Sequence, residues 1–194
     1  SRMEFELRQA IKYDNLKLFY QPIFRISDKH VTGFEALLRW PGANGEIIAP
    51  GDFVPLAEET GLIEPIGKWV LRTACCEAVQ WPGEIKVAVN VSPVQFRSGN
   101  LVEIVRDALA CSGLAPTRLE IEITEAVLIN DDESALAILH QLRALGVHTA
   151  MDDFGTGYSS LSYLQRFPFD KIKIDRTFVK DAPFRDGSRS IVQA

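Results

Sequence analysis

Three short segments limit the folds open to this chain more than any other feature. Lys86-Val87-Ala88-Val89-Asn90-Val91, Leu119-Glu120-Ile121-Glu122-Ile123 and Lys171-Ile172-Lys173-Ile174-Asp175 each set apolar residues at alternate positions. Polar or small residues fill the positions between. Successive side chains of a strand point to opposite faces, so each segment carries one apolar and one polar face. Phe34-Glu35-Ala36-Leu37-Leu38-Arg39-Trp40 likewise puts Glu35 and Arg39 on one face. Helical patterns separate these strands, and strand alternating with helix argues for a parallel sheet. Parallel strands are normally apolar on both faces. A polar face recurring across four strands suits a barrel, with helices outside and active-site residues inside near the strand carboxyl ends. An open sheet wetted on one side is the competing arrangement. Glu35, Asn90, Glu122, Asp152 and Lys173 all fit the barrel placement.

In chain order, Met3 to Asp14 reads as an opening helix with Phe5, Leu7, Ala10 and Ile11 apolar, and Ser1-Arg2-Met3 as a domain edge. Leu16 to Ile26 and Val31 to Trp40 read as strands joined only by Ser27-Asp28-Lys29-His30. A parallel crossover needs a far longer connection, so this pair is expected to be antiparallel. Pro22 implies a local break in its ladder or an unpaired backbone position. Helices follow over Pro50 to Thr60, Ile66 to Gln80 and Leu101 to Ala110, with Ile66, Trp69, Val70 and Ala74 on one face of the second. Asn130 caps another helix through Leu145, with Gly146 just past its end. Ile85 to Val91, Leu119 to Ile123, Val147 to Asp152 and Asp170 to Ile174 complete a set of six strands.

The stretch from Val147 to Asp175 bears the chemistry. Its first strand ends on adjacent carboxylates, Asp152 and Asp153, and Gly155 and Gly157 let the backbone turn tightly beside them. Two acids at a strand end beside a loop that closes are what a divalent cation needs. An Asp-Asp turn capping a helix at Ser159, Ser160 and Leu161 is the alternative. Composition narrows the choice. A net charge of -5 disfavours a nucleic-acid polymer bound through a basic face. The histidines His30, His140 and His148 form no zinc-type pair, so a metal here would be hard and oxygen-ligated. Cys75, Cys76 and Cys111 lack metal-ligand spacing and suit a reducing compartment. No apolar run approaches a membrane span, so no membrane contact is expected from the 194 residues, which suffice for one sizeable core.

Phe34-Glu35-Ala36-Leu37-Leu38-Arg39-Trp40 resembles the Glu-Ala-Leu signature of EAL domains, bacterial phosphodiesterases that hydrolyse cyclic di-GMP. Tyr20-Gln21-Pro22-Ile23, Asn90-Val91-Ser92, Glu122-Ile123-Thr124-Glu125, the run from Asp152 to Leu161 and Lys171 to Asp175 resemble the family's other motifs, in order. The resemblance implies an α/β fold: a modified (β/α)8 TIM-like barrel with one antiparallel strand. It implies that Glu35, Asn90, Glu122 and Asp152 hold a first Mg²⁺ or Mn²⁺, and that Asp153 joins Asp152 at a second. Lys173 would contact the attacking water, Gln21, Leu38 and Arg39 would bind the nucleotide, and Glu125 would anchor the loop from Asp153 to Leu161. Glu58 matches a further acidic position near the site, and a solvated helix-end acid is its plainer reading.

The implied reaction is metal-dependent hydrolysis of cyclic di-GMP to linear pGpG, with Ca²⁺ inhibitory. Two cations about 4 Å apart lower the pKa of a water and offset charge on the leaving oxygen. Beside two cations, Lys173 is expected to have a depressed pKa. A catalytically silent cyclic di-GMP receptor is the alternative, and a purely protein-interacting regulatory domain a third. Relatives of those kinds lose metal ligands, or Gln21 and Arg39, all of which stand here. Residues 1–194 are expected to form one such domain, truncated after about six strands where a barrel has eight. The resemblance is compatible with a homodimer and with regulatory domains elsewhere in the parent chain; a cytoplasmic setting is expected, with membrane tethering of the parent protein left open.

Overall fold

The computed structural model describes residues 1–128, 132–154 and 165–174. Helix α1 (Arg2–Lys12) opens on a capping box in which Ser1 and Glu4 satisfy each other's backbone N–H groups. Strands β1 (Lys17–Phe24) and β2 (Val31–Pro41) pair antiparallel, as their short link requires, with Gln21 opposite Glu35. Pro22 stays in register with Phe34, and the ladder shifts just beyond it, between Ile23 and Phe24. A two-residue strand β3 (Ile47–Ile48) adds to β2; it is too short to leave a periodic signal.

The rest alternates as the pattern predicted: α2 (Pro50–Glu59), α3 (Ile63–Ala78), β4 (Lys86–Asn90), α4 (Pro93–Arg97), α5 (Leu101–Ser112), β5 (Leu119–Thr124), α6 (Asp132–Ala144), β6 (His148–Phe154) and β7 (Lys171–Ile174). The sheet runs β1-β2-β4-β5-β6-β7, parallel from β2 onward, so neighbours in the chain are neighbours in space. That order is the wall of a TIM-like barrel, and among the described residues it does not close. Asn130, the expected cap of α6, lies outside the described residues.

The apolar parity faces the helices. Val87, Val89, Ile121, Ile123 and Met151 are all essentially inaccessible and share one core with Ile66, Val70 and Ala74 of α3. Trp69 is only half-buried; its indole N–H donates to Asp14 Oδ1 at 2.6 Å and ties α3 to the end of α1. On the outer face of the hairpin, Tyr20 and Phe34 meet Trp81 at centroid distances of 5.3 and 4.9 Å. Burial there pushes the Tyr20 hydroxyl up to about 12. Gly113 closes α5 at φ 72°, a left-handed cap that glycine adopts without a Cβ penalty.

The polar parity faces the barrel interior in two tiers. At the amino-terminal ends of the strands, Lys171 Nζ lies 2.8 and 3.0 Å from the two carboxylate oxygens of Glu120, itself 3% exposed. Lys86 Nζ stands 3.3 Å from His148 Nδ1 in the same tier. The second tier, at the carboxyl ends, is the candidate site. Among the described residues, no helix is long and apolar enough to cross a membrane.

Candidate active site

Parallel pairing brings the second tier together. Asn90 registers with Glu122, and Thr124, two residues on, registers with Asp152. Glu35 stands on β2 with Ala88 beside it on β4. Period-2 alternation then aims Glu35, Asn90, Glu122 and Asp152 at one volume. Carboxylate oxygens of Glu35, Glu122 and Asp152 lie within 4.8 Å of one another. Asn90 Nδ2 donates to Glu35 Oε1 at 2.9 Å, leaving the amide carbonyl as the atom a cation would use.

Lys173 enters from β7 into the middle of these acids. Its Nζ is 2.7 Å from Glu122 Oε2, 3.4 Å from Glu35 Oε2 and 3.8 Å from Asp152 Oδ1. Burial alone lowers the pKa of this ammonium. The hydrogen bond and charge of Glu122, with the charges of Glu35 and Asp152, outweigh it and leave the pKa raised. The expected depression depends on cations beside Lys173; here its neighbours are anions. Burial dominates at Glu122 and pushes its carboxyl up to about 7, against the lowering hydrogen bond and charge of Lys173.

A hard divalent cation fits this donor set. Three carboxylates and an amide carbonyl are oxygen donors of the kind Mg²⁺ and Mn²⁺ take. One lysine leaves an excess of negative charge among them. Glu122 Oε1 is buried with no hydrogen-bond partner among the described residues, although its sister oxygen holds Lys173. A buried carboxylate oxygen in that state is costly unless a cation or donor meets it.

Of the other expected site residues, Gln21, Leu38, Glu58 and Asp153 border clefts beside this centre. Asp153 lies outside the close carboxylate group; its backbone N–H donates to Asp152 Oδ1 at 2.9 Å, and φ is 54°. It lines both clefts that flank the acids. One cleft, about 480 Å³, is bordered by Gln21, Glu35, Asp152, Asp153 and Lys173. The other, about 550 Å³ and mostly apolar, takes Leu38, Glu58, Asn90, Glu122 and Asp153 into its wall. Both volumes are in the range of small-molecule sites. Glu58 is thus a cleft residue in addition to a helix-end acid. Glu125 opens the short 3-10 turn Glu125–Val127 directly after β5 and is 5% exposed. The loop it was expected to anchor lies, from residue 155, outside the described residues.

Two contacts escaped sequence reasoning. The Arg39 guanidinium lies 5.7 Å from the Phe19 ring centroid while Nη1 donates to Leu38 O at 2.8 Å, so the ring helps to aim the fork. Phe19 stands two residues before Gln21 in β1, and strand parity alone would have put both on the inner face. Ser92 and Gln95 form a capping box at the start of α4, and their i, i+3 spacing was readable.

The EAL domain family matches residues 4–194. The chain is 44% identical over 193 residues to the bifunctional diguanylate cyclase/cyclic di-GMP phosphodiesterase MucR of Pseudomonas aeruginosa, covering 97% of this chain and 28% of MucR. It is 43% identical over 197 residues to the cyclic di-GMP phosphodiesterase NbdA of the same organism, covering 100% of this chain and 25% of NbdA. It thus spans about a quarter of the length of these curated relatives. Among solved structures, the phosphodiesterase PaMucR in complex with c-di-GMP superposes with a TM-score of 0.91 at 43% identity, covering 99% of this chain and 79% of that one. With its signature motifs, its strand order and its acid cluster in agreement with this match, the chain belongs to the EAL domain family.

Proposed function

We propose that this chain hydrolyses one phosphodiester bond of cyclic di-GMP to give linear pGpG, in a reaction that needs Mg²⁺ or Mn²⁺. The observation that carries the reading is Lys173 set among Glu35, Glu122 and Asp152, with one Glu122 oxygen buried and without a hydrogen-bond partner among the described residues. Glu35, Asn90, Glu122 and Asp152 would hold the metal, with Asp153 at the rim for a second. Once bound, such ions lower the pKa of a water and offset charge on the phosphate. Ca²⁺ is expected to occupy the site with poor turnover, because its looser coordination holds a water less strictly.

The side chains supply binding and orientation. Without metal, the surrounding acids favour the protonated form of Lys173, and its Nζ stands among them, which suits it to steer a water by donating a hydrogen bond. Arg39 offers a planar fork matched to a phosphate oxygen. Gln21, opposite Glu35 in the hairpin, borders the same cleft and adds an amide for the nucleotide. The apolar cleft beside Leu38 and Glu58 offers a base a dry surface. The relatives' names and the complex of PaMucR support this substrate.

The test is chromatography of the nucleotides after incubation of the intact protein with cyclic di-GMP and Mg²⁺ or Mn²⁺. The expected product is pGpG, and Glu35→Ala should abolish it. Binding of the cyclic dinucleotide with no pGpG formed would make the protein a receptor and overturn the proposal.

A further inference from the structure

Gly67 sits inside α3, is buried, and has no positive φ to demand a glycine. Alanine is the better helix former at such a position. Space explains the glycine instead. A Cβ placed there would fall 1.5 Å from Gln95 Nε2 and 2.5 Å from its Cδ. The end of a glutamine side chain can usually swing away, but this one is held. Gln95 is 7% exposed, and its Oε1 accepts from Ser92 N at 3.2 Å. Its own N–H donates to Ser92 Oγ at 3.2 Å, completing the box.

The box fixes the turn out of β4. Ser92 follows Asn90 by two residues, and between them Val91 N donates to Glu122 O at 2.9 Å. Asn90 in turn donates to Glu35. A chain of contacts therefore runs from Gly67 through Gln95 and Ser92 to Asn90 in the acid cluster. Gly67 and Gln95 also border the same apolar cleft as Asn90 and Glu122.

We propose that Gly67 is a positioning residue for the metal site: its missing Cβ is the seat of the Gln95 amide that locks the turn carrying Asn90. This rests on the metal-binding reading of the cluster. It assigns Gly67 no contact with metal or substrate.

Calorimetric titration of the intact protein with Mn²⁺ alone, with melting temperatures, tests it on wild type, Gly67→Ala, Gln95→Ala and the double variant. Displacing a residue that orients a ligand typically costs about 10- to 100-fold in metal affinity, and Gly67→Ala is expected to weaken Mn²⁺ binding by at least about tenfold. In the Gln95→Ala background the obstruction is gone, so adding Gly67→Ala should change affinity less than about twofold and leave the melting temperature no lower. Wild-type affinity in Gly67→Ala overturns the proposal. So does an equal loss in both backgrounds, because the effect would then not pass through Gln95. Should Gly67→Ala fail to fold, Gln95→Ala alone is read against wild type: loss of the lock is expected to weaken Mn²⁺ binding by about tenfold, and wild-type affinity overturns the proposal. A wild-type protein that binds no Mn²⁺ overturns the functional reading itself, a result distinct from either failure.

Discussion

Glu122 is the buried member of the acid cluster, between half-buried Glu35 and Asp152. Its carboxyl, raised to about 7 chiefly by burial, favours the proton-bound form in the fold over its ordinary value of 4.5. In metal-free protein its contribution to stability is therefore intact below about pH 4.5 and is lost as the pH rises through about 7. A cation needs the ionised form, so metal uptake should displace this proton. Mn²⁺ affinity measured calorimetrically is expected to be at least about tenfold tighter at pH 8 than at pH 5.5, with proton release that Glu122→Gln removes. Equal affinity at the two values would show that Glu122 does not ligate. Asp153 shows what adjacency conceals. Strand alternation would send Asp152 and Asp153 to opposite faces, but Asp153 leaves the extended backbone at φ 54°, and both border the cleft that holds Lys173.

At the scale of elements, the sequence was most readable where one local rule suffices. The short link fixed β1 and β2 as antiparallel, and parity separated the helix-facing from the barrel-facing residues of β4 and β5. β3 and α4 are two and five residues long, too short for a period to show. The Gly67–Gln95 contact joins elements far apart in sequence, and nothing local announces it. Arg118 is a similar tie: its guanidinium donates to the carbonyls of Ile85, Ala78 and Trp81 at 3.0, 2.8 and 3.2 Å, pinning the end of α3 to the start of β4. Arg118→Ala should lower unfolding free energy by about 2–3 kcal/mol in urea titrations, since these are charged hydrogen bonds that leave carbonyls bare. No change would mean water replaces them without penalty. Glu125 makes the opposite case, buried directly after β5. Glu125→Ala is expected to keep the circular dichroism spectrum and melting transition near wild type while lowering metal-dependent turnover about tenfold or more. Unchanged turnover would remove its assignment as a loop anchor.

Across the whole molecule, one design decision recurs: helices cover the apolar side of a parallel wall, and the inner side holds charged tiers. The amino-terminal tier is internally paired, Lys171 with Glu120 and Lys86 with His148. In the carboxyl-terminal tier three acids surround Lys173, and a buried oxygen of Glu122 has no hydrogen-bond partner among the described residues. The proposal of a metal centre in the carboxyl-terminal tier is open to anomalous diffraction from crystals soaked in Mn²⁺. A strong peak bonded to Glu35, Asn90, Glu122 and Asp152 is expected, with Lys173 Nζ moved off Glu122. Manganese peaks found only at other places on the surface would contradict it.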